Sequence, residues 1–172
     1  MIPVRTIVIG IGNPVLCDDS VGLKVANRLR AELCDSSRTA VTALYAGGIR
    51  LMEAMVGYQR AILIDAIQTA GGRPGAVYPV DIEDLLETRN ICSTHDGSLR
   101  AALELGRMAG LEVPFETLIW AVEAADVETF SESLTPEVAA AVPLVVENII
   151  AQLQVDRLPY QERRYENSGV FL

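Results

Sequence analysis

Three apolar runs, residues 4–9, 61–66 and 115–122, limit most strongly what this chain can fold into. The first lies between Pro3 and Gly10, the pattern of a strand buried on both faces. The second, Ala61-Ile62-Leu63-Ile64-Asp65-Ala66, is apolar except for one carboxylate near its end, and the third contains the single tryptophan, Trp120. Helical patterns separate them. Val21, Val25, Leu29 and Leu33 recur every four residues with Lys24, Arg28 and Arg30 turned away, as a helix packed on a sheet requires. Residues 39–45 are rich in β-branched and apolar side chains and stop at Gly47-Gly48, so they read as a further strand, followed by a helix over residues 49–56.

This alternation predicts an α/β fold: a three-layer α/β/α arrangement around a mostly parallel, twisted five-stranded sheet with one antiparallel edge strand. The edge strand is expected at 76–80. It follows the turn cluster Gly71 to Gly75 closely enough to pair back on the 61–66 strand. A short helix or polar loop is expected over 81–88, and a helix carrying Leu99, Leu103 and Gly106 ends at Gly110. Thr135-Pro136-Glu137 opens the last helix with a Thr cap and Pro at the first helical position, and Val138, Val142, Val145, Ile149 and Leu153 continue it. Pro143 lies inside, where a proline costs about 3 kcal/mol, so a kink or break is expected near residues 139–142. Residues 1–154 read as one domain and residues 155–172, which have no apolar period, as a weakly ordered extension.

Charge narrows the function. A net charge of −9 argues against nucleic acid or an anionic membrane surface as partner, both of which are recruited by clustered Lys and Arg. No apolar run approaches the ~20 residues of a bilayer span and no leader pattern opens the chain, so a cytoplasmic protein is expected. Cys17, Cys34 and Cys92 are odd in number and lack C-x-x-C spacing, which fits reduced thiols.

The chemistry-bearing residues sit in loops that follow strands. Gly10 to Gly22 forms a strand, a glycine-rich turn and a helix start, the shape of a phosphate cradle, except that Asp18 and Asp19 stand where the anion would bind. In a parallel sheet the loops after the strands share one edge. That edge collects Asp18 or Asp19, Asp65 and His95, the only histidine. Two carboxylates and an imidazole suit a borderline divalent metal such as nickel, zinc or iron with coordination positions left open. Each residue has a plainer explanation alone: an N-cap, a turn cap, a surface histidine. Their common placement favours the site.

These motifs together resemble the hydrogenase maturation endopeptidases: Gly10-x-Gly12-Asn13 with Asp18-Asp19 and Gly22, then Ala46-Gly47-Gly48, Leu63-Ile64-Asp65-Ala66, Ser93-Thr94-His95 and Leu134-Thr135-Pro136-Glu137-Val138, over residues 7–153. The resemblance implies an endopeptidase that removes the C-terminal extension from the nickel-loaded precursor of a nickel-iron hydrogenase large subunit. It implies that Asp19, Asp65 and His95 contact the metal and carry the activity, that the nickel is brought by the substrate, and that Asp18 is the helix-capping neighbour. A monomer is expected. The chain departs from the family pattern at Ala46 and Ile49, where an acid and a small polar residue are common, and at Ser20, a residue that caps helices well. No serine or cysteine nucleophile set is evident, since Cys17 has no second histidine to activate it.

The rival reading is a phosphoacceptor receiver domain binding magnesium through the acid pair and Asp65. Receivers place their acids directly after the first strand and a lysine after the fifth. Here eight residues, Gly10 to Cys17, intervene, and Trp120 to Glu123 contains no lysine.

Overall fold

The computed structural model describes residues 4–33, 37–45, 47–82 and 97–155. Among them, strands β1 (Thr6–Ile11), β2 (Thr39–Leu44), β3 (Arg60–Ile67), β4 (Val77–Asp81) and β5 (Glu116–Glu123) form one sheet in the order β2-β1-β3-β5-β4. The first four strands in that order run parallel. β4 is antiparallel at the edge, but it pairs with β5 and not with β3 as its proximity in sequence suggested. The reason is competition for the β3 edge. β5 offers eight apolar-rich residues in register with all of β3, from Arg60 opposite Glu116 to Ile67 opposite Glu123, whereas β4 is five residues long and contains Pro79, which suits an outer edge.

Helices α1 (Val21–Glu32), α2 (Gly48–Met55), α3 (Gly97–Met108) and α4 (Pro136–Val155) cover the two faces. Alternation along β3 shows which helix covers which face. Ile62, Ile64 and Ala66 join a core with Val21, Val25 and Leu29 of α1 and Val138, Val145 and Ile149 of α4. Ala61, Leu63 and Ile67 join the opposite core with Leu51, Met52 and Met55 of α2 and Leu99 and Leu103 of α3. All eight residues of β3 are buried, as expected for a central parallel strand covered on both sides.

α4 corrects two sequence expectations. It is a single helix with Pro143 inside it, unbroken at residues 139–142. Burial of Val138, Ala141, Val145, Val146, Ile149 and Leu153 against the sheet and α1 is worth about 1.5–3 kcal/mol for each large side chain, which outweighs one interior proline. Its span Pro136–Gln154 is also long and apolar enough to cross a bilayer, with mean hydropathy 1.3, although no such run was expected. In the fold one face of that span, a third of its residues, is buried against the sheet and α1.

The segment expected as a helix or loop over 81–88 and the C-terminal extension fall, beyond Ile82 and Val155, outside the described residues.

Candidate active site

Between β1 and β3 the chain reverses its direction of winding, since β1 leads outward to β2 and the chain then returns to β3 on the other side. In open α/β sheets this switch point opens a crevice at the carboxyl ends of the strands, where ligands bind. Asp65 lies near that end of β3, and the loop leaving β1 passes over the same end.

Close backbone approach shapes this loop. A Cβ on Gly10 would strike the Gly22 carbonyl, and one on Gly22 would strike the carbonyls of Ile11 and Ile64, so α1 rests directly on the ends of β1 and β3. Gly12 adopts φ 146°, and a Cβ there would collide with the Asp19 carbonyl. The glycines thus serve contact within the protein and leave no cradle for a phosphate. They lock the 3₁₀ turn Cys17–Ser20, which carries both acids, against β3.

The two adjacent acids have opposite roles. Asp18 is completely buried and both of its oxygens are occupied. Oδ2 accepts from the backbone N–H groups of Ala125 (2.9 Å) and Asp126 (3.0 Å). Oδ1 accepts from the N–H of Thr135 at 2.7 Å, and the Thr135 hydroxyl lies within 3.0 Å of both oxygens. Asp18 therefore does not cap its own helix. It ties the first loop to the segment after β5 and to the N-terminus of α4, where a carboxylate also meets the positive end of the helix. Ser20 does not cap α1 by its side chain either; its hydroxyl donates to the Cys17 carbonyl at 2.7 Å. Asp19 is half-buried. Its Oδ2 accepts from the Asn13 N–H at 2.7 Å, and among the described residues its Oδ1 has no hydrogen-bond partner.

The segment after β5 lies on the same rim, as expected from its acidic sequence, and it is braced from both sides. Asp18 N–H donates to the Asp126 carbonyl, Cys17 N–H to that of Thr129, and Ser131 N–H to that of Val15. The Thr129 hydroxyl, followed by the backbone N–H groups of Thr129 and Glu128 that donate to the Asp126 side chain, holds its pKa below the ordinary carboxylate value. At the end of β5, buried Glu123 accepts from the N–H and hydroxyl of Thr69 at 2.6 and 2.9 Å and so fastens the β3–β4 connection. The sequence reading missed the roles of Glu123 and Thr135. A lone acid at a strand end and a Thr at a helix start carry no signal of their distant partners.

Asp65 is buried, 8% exposed, and its Oδ1 accepts from the Ala66 N–H at 2.8 Å. Its position in the alternation of β3 puts it on the α2–α3 face of the sheet. His95 lies outside the described residues, as does Ala46. Ile49 is exposed on the first turn of α2. Among the described residues no three His, Cys, Asp or Glu side chains form a cluster able to hold a metal ion. Cys17 is buried, with its Sγ 3.3 Å from the Ser133 carbonyl; burial and the nearby carboxylates of Asp18 and Asp126 push its thiol pKa up, which makes it a poor nucleophile.

Comparison with known proteins identifies the architecture. Residues 23–152 match the family model of the hydrogenase maturation proteases, HycI. The chain belongs to that family. The protease is 26% identical over 152 residues to the hydrogenase 2 maturation protease of Escherichia coli K12, covering 87% of this chain and 91% of the relative. The solved structure of the hydrogenase maturating endopeptidase HybD from E. coli superposes with a TM-score of 0.71 at 26% identity, over 87% of this chain and 92% of that one. The HybD protease from Thermococcus kodakarensis gives 0.67 at 25% identity, over 87% and 98%. The protease is accordingly an endopeptidase with the HybD-like α/β fold, and the receiver-domain reading has no support beside this family match.

Proposed function

We propose that the protein removes the C-terminal extension from the nickel-loaded precursor of a nickel-iron hydrogenase large subunit, contacting the substrate-borne nickel through Asp19, Asp65 and His95. The observation that carries the reading is the division of labour between the adjacent acids. Asp18 is held inside by donors from three residues, while Asp19, on the same rigid turn, keeps an oxygen without a partner among the described residues, beside the end of β3 that bears Asp65.

Topology supports the third member. β5 runs parallel to β3, so α3, which returns the chain to the start of β5, begins at the carboxyl edge, and His95 precedes its first residue, Gly97, by two positions. Nickel is a borderline cation that accepts carboxylate and imidazole donors, and a precursor that presents it with open positions would complete its coordination on this rim. Cleavage is then confined to substrate that already carries metal. The side-chain chemistry of the loop agrees: the Cys17 thiol is buried and raised in pKa, and the Ser20 hydroxyl is engaged with a backbone carbonyl, so neither is an activated nucleophile.

The test mixes a nickel-loaded large-subunit precursor with the protein and follows the loss of the extension by mass. Asp19→Asn, Asp65→Asn and His95→Ala are expected to reduce cleavage at least a hundredfold while retaining the far-ultraviolet spectrum of the wild type. Normal cleavage by Asp19→Asn or His95→Ala would sink the assignment. Nickel-independent hydrolysis of unrelated peptides by protein carrying stoichiometric zinc would replace it with an ordinary metalloprotease.

A further inference from the structure

A groove of about 310 Å³ opens beside the Asp19 loop, between α1 and the end of β2. Pro14 and Ser20 of that loop form one end, Lys24, Asn27 and Arg30 of α1 one wall, and Tyr45, just after β2, the other. Its charge is opposite to that of the molecule, in which 23 acids outnumber 14 Lys and Arg.

The cations here are not neutralised by the protein. Two exposed arginines elsewhere, Arg28 and Arg100, do pair with a glutamate four residues on, Glu32 and Glu104. Four residues on from Lys24 stands Arg28, and among the described residues no carboxylate lies within ion-pair distance of Lys24 or Arg30. Arg30 is instead held by neutral acceptors, the Asn27 Oδ1 at 3.1 Å and, more loosely, the Val41 carbonyl at 3.4 Å. These contacts aim the guanidinium without satisfying its charge. Tyr45 adds a largely exposed aromatic wall, 72% accessible, next to the cations.

We propose that this groove is a substrate subsite that seats an acidic side chain of the precursor segment running past Asp19. The inference rests on the proposed function and adds a second anchor to it. Charge complementarity selects a carboxylate: a guanidinium offers it a fork of N–H donors and the ammonium a point charge. The groove is partly open to solvent, so it can admit a side chain from a segment lying across it. Its shared wall with the Asp19 loop puts the anchored residue within a few positions of the one presented to the site.

Initial rates of cleavage over a range of nickel-loaded precursor concentrations test this. Lys24→Glu is expected to raise KM about tenfold at low salt with turnover changed less than about twofold, the mark of lost ground-state binding. Arg30→Gln should raise KM less, and 0.5 M salt should bring the wild type toward the Lys24→Glu value, because exposed charges are screened. A precursor with one acid of the flanking segment changed to Lys should be cleaved better by Lys24→Glu than by the wild type. Adding two alanines to the end of the precursor should leave KM unchanged; a rise would identify a chain-end carboxylate and overturn the side-chain assignment. An unaltered KM for both variants, with the wild type active, overturns the subsite alone. An inactive wild type removes the proposed function and the subsite with it.

Discussion

Changing Asp18 to Asn alters a single atom type, yet the structure assigns it a large cost. The carboxylate accepts from three backbone N–H groups and one hydroxyl in a site closed to water. An asparagine keeps one acceptor oxygen and presents an NH2 in place of the other. With the amide oxygen toward Ala125 and Asp126, the NH2 faces the Thr135 N–H; turned round, it faces the other two. In either case at least one buried donor loses its acceptor and meets another donor, a loss of about 1–3 kcal/mol. The remaining bonds also lose their charge assistance, about 1 kcal/mol each. The total is about 3–5 kcal/mol, a large share of the 5–15 kcal/mol that holds an average domain together. Asp19→Asn, which touches one hydrogen bond on a half-buried group, should cost about 1 kcal/mol or less. Thermal unfolding followed by circular dichroism separates them, since about 2–4 °C corresponds to 1 kcal/mol at this size. Asp18→Asn should melt about 10 °C lower than the wild type and Asp19→Asn within about 3 °C of it. An Asp18→Asn protein as stable as the wild type would refute the anchoring role and with it the distinction between the two acids.

Two further outcomes are expected. Iodoacetamide should label Cys17 negligibly in the native protein at pH 7.5 and readily after denaturation, as read by peptide mass mapping. The folded thiol pKa is raised, so its contribution to stability is present below the unfolded value of about 8.5 and is lost as pH rises through the folded one, which predicts labelling and loosening together at alkaline pH. Pro143→Ala should stabilise α4 by about 1–2 kcal/mol, raising the melting midpoint about 3–6 °C, because an N–H becomes available to the Ala139 carbonyl; a lower midpoint would show that the proline ring packs productively.

The parts of the fold that were legible in the sequence are those set by local pattern. Residues 61–66 are apolar on both alternating faces, which only a strand covered on both sides explains, and the period of Val21, Val25 and Leu29 marks the face that α1 turns to the sheet. Asp65 could be placed at the carboxyl edge because polarity within such a run is conspicuous. What stayed hidden depends on partners far away in the chain. β4 chose β5 over its neighbour β3 because β5 took the whole β3 edge first in energetic terms, and the helix through Pro143 survives on burial that its own residues do not reveal. The pair Asp18-Asp19 shows the limit most directly. Both acids are local helix-start residues by type, and only the donors at 125, 126 and 135 distinguish the anchor from its half-buried neighbour.

Those donors also bear on when the protein can work. The turn that carries Asp19 is held by residues more than a hundred positions downstream, so the loop contact is closed only after synthesis has passed Thr135. A nascent chain halted before Ala125 would contain both of its acids and none of the downstream donors that brace them, and one halted before Thr135 would lack those to Asp18 Oδ1. The protease is therefore expected to become competent in one late step, when the start of α4 docks, with no partly built form able to act on a precursor prematurely.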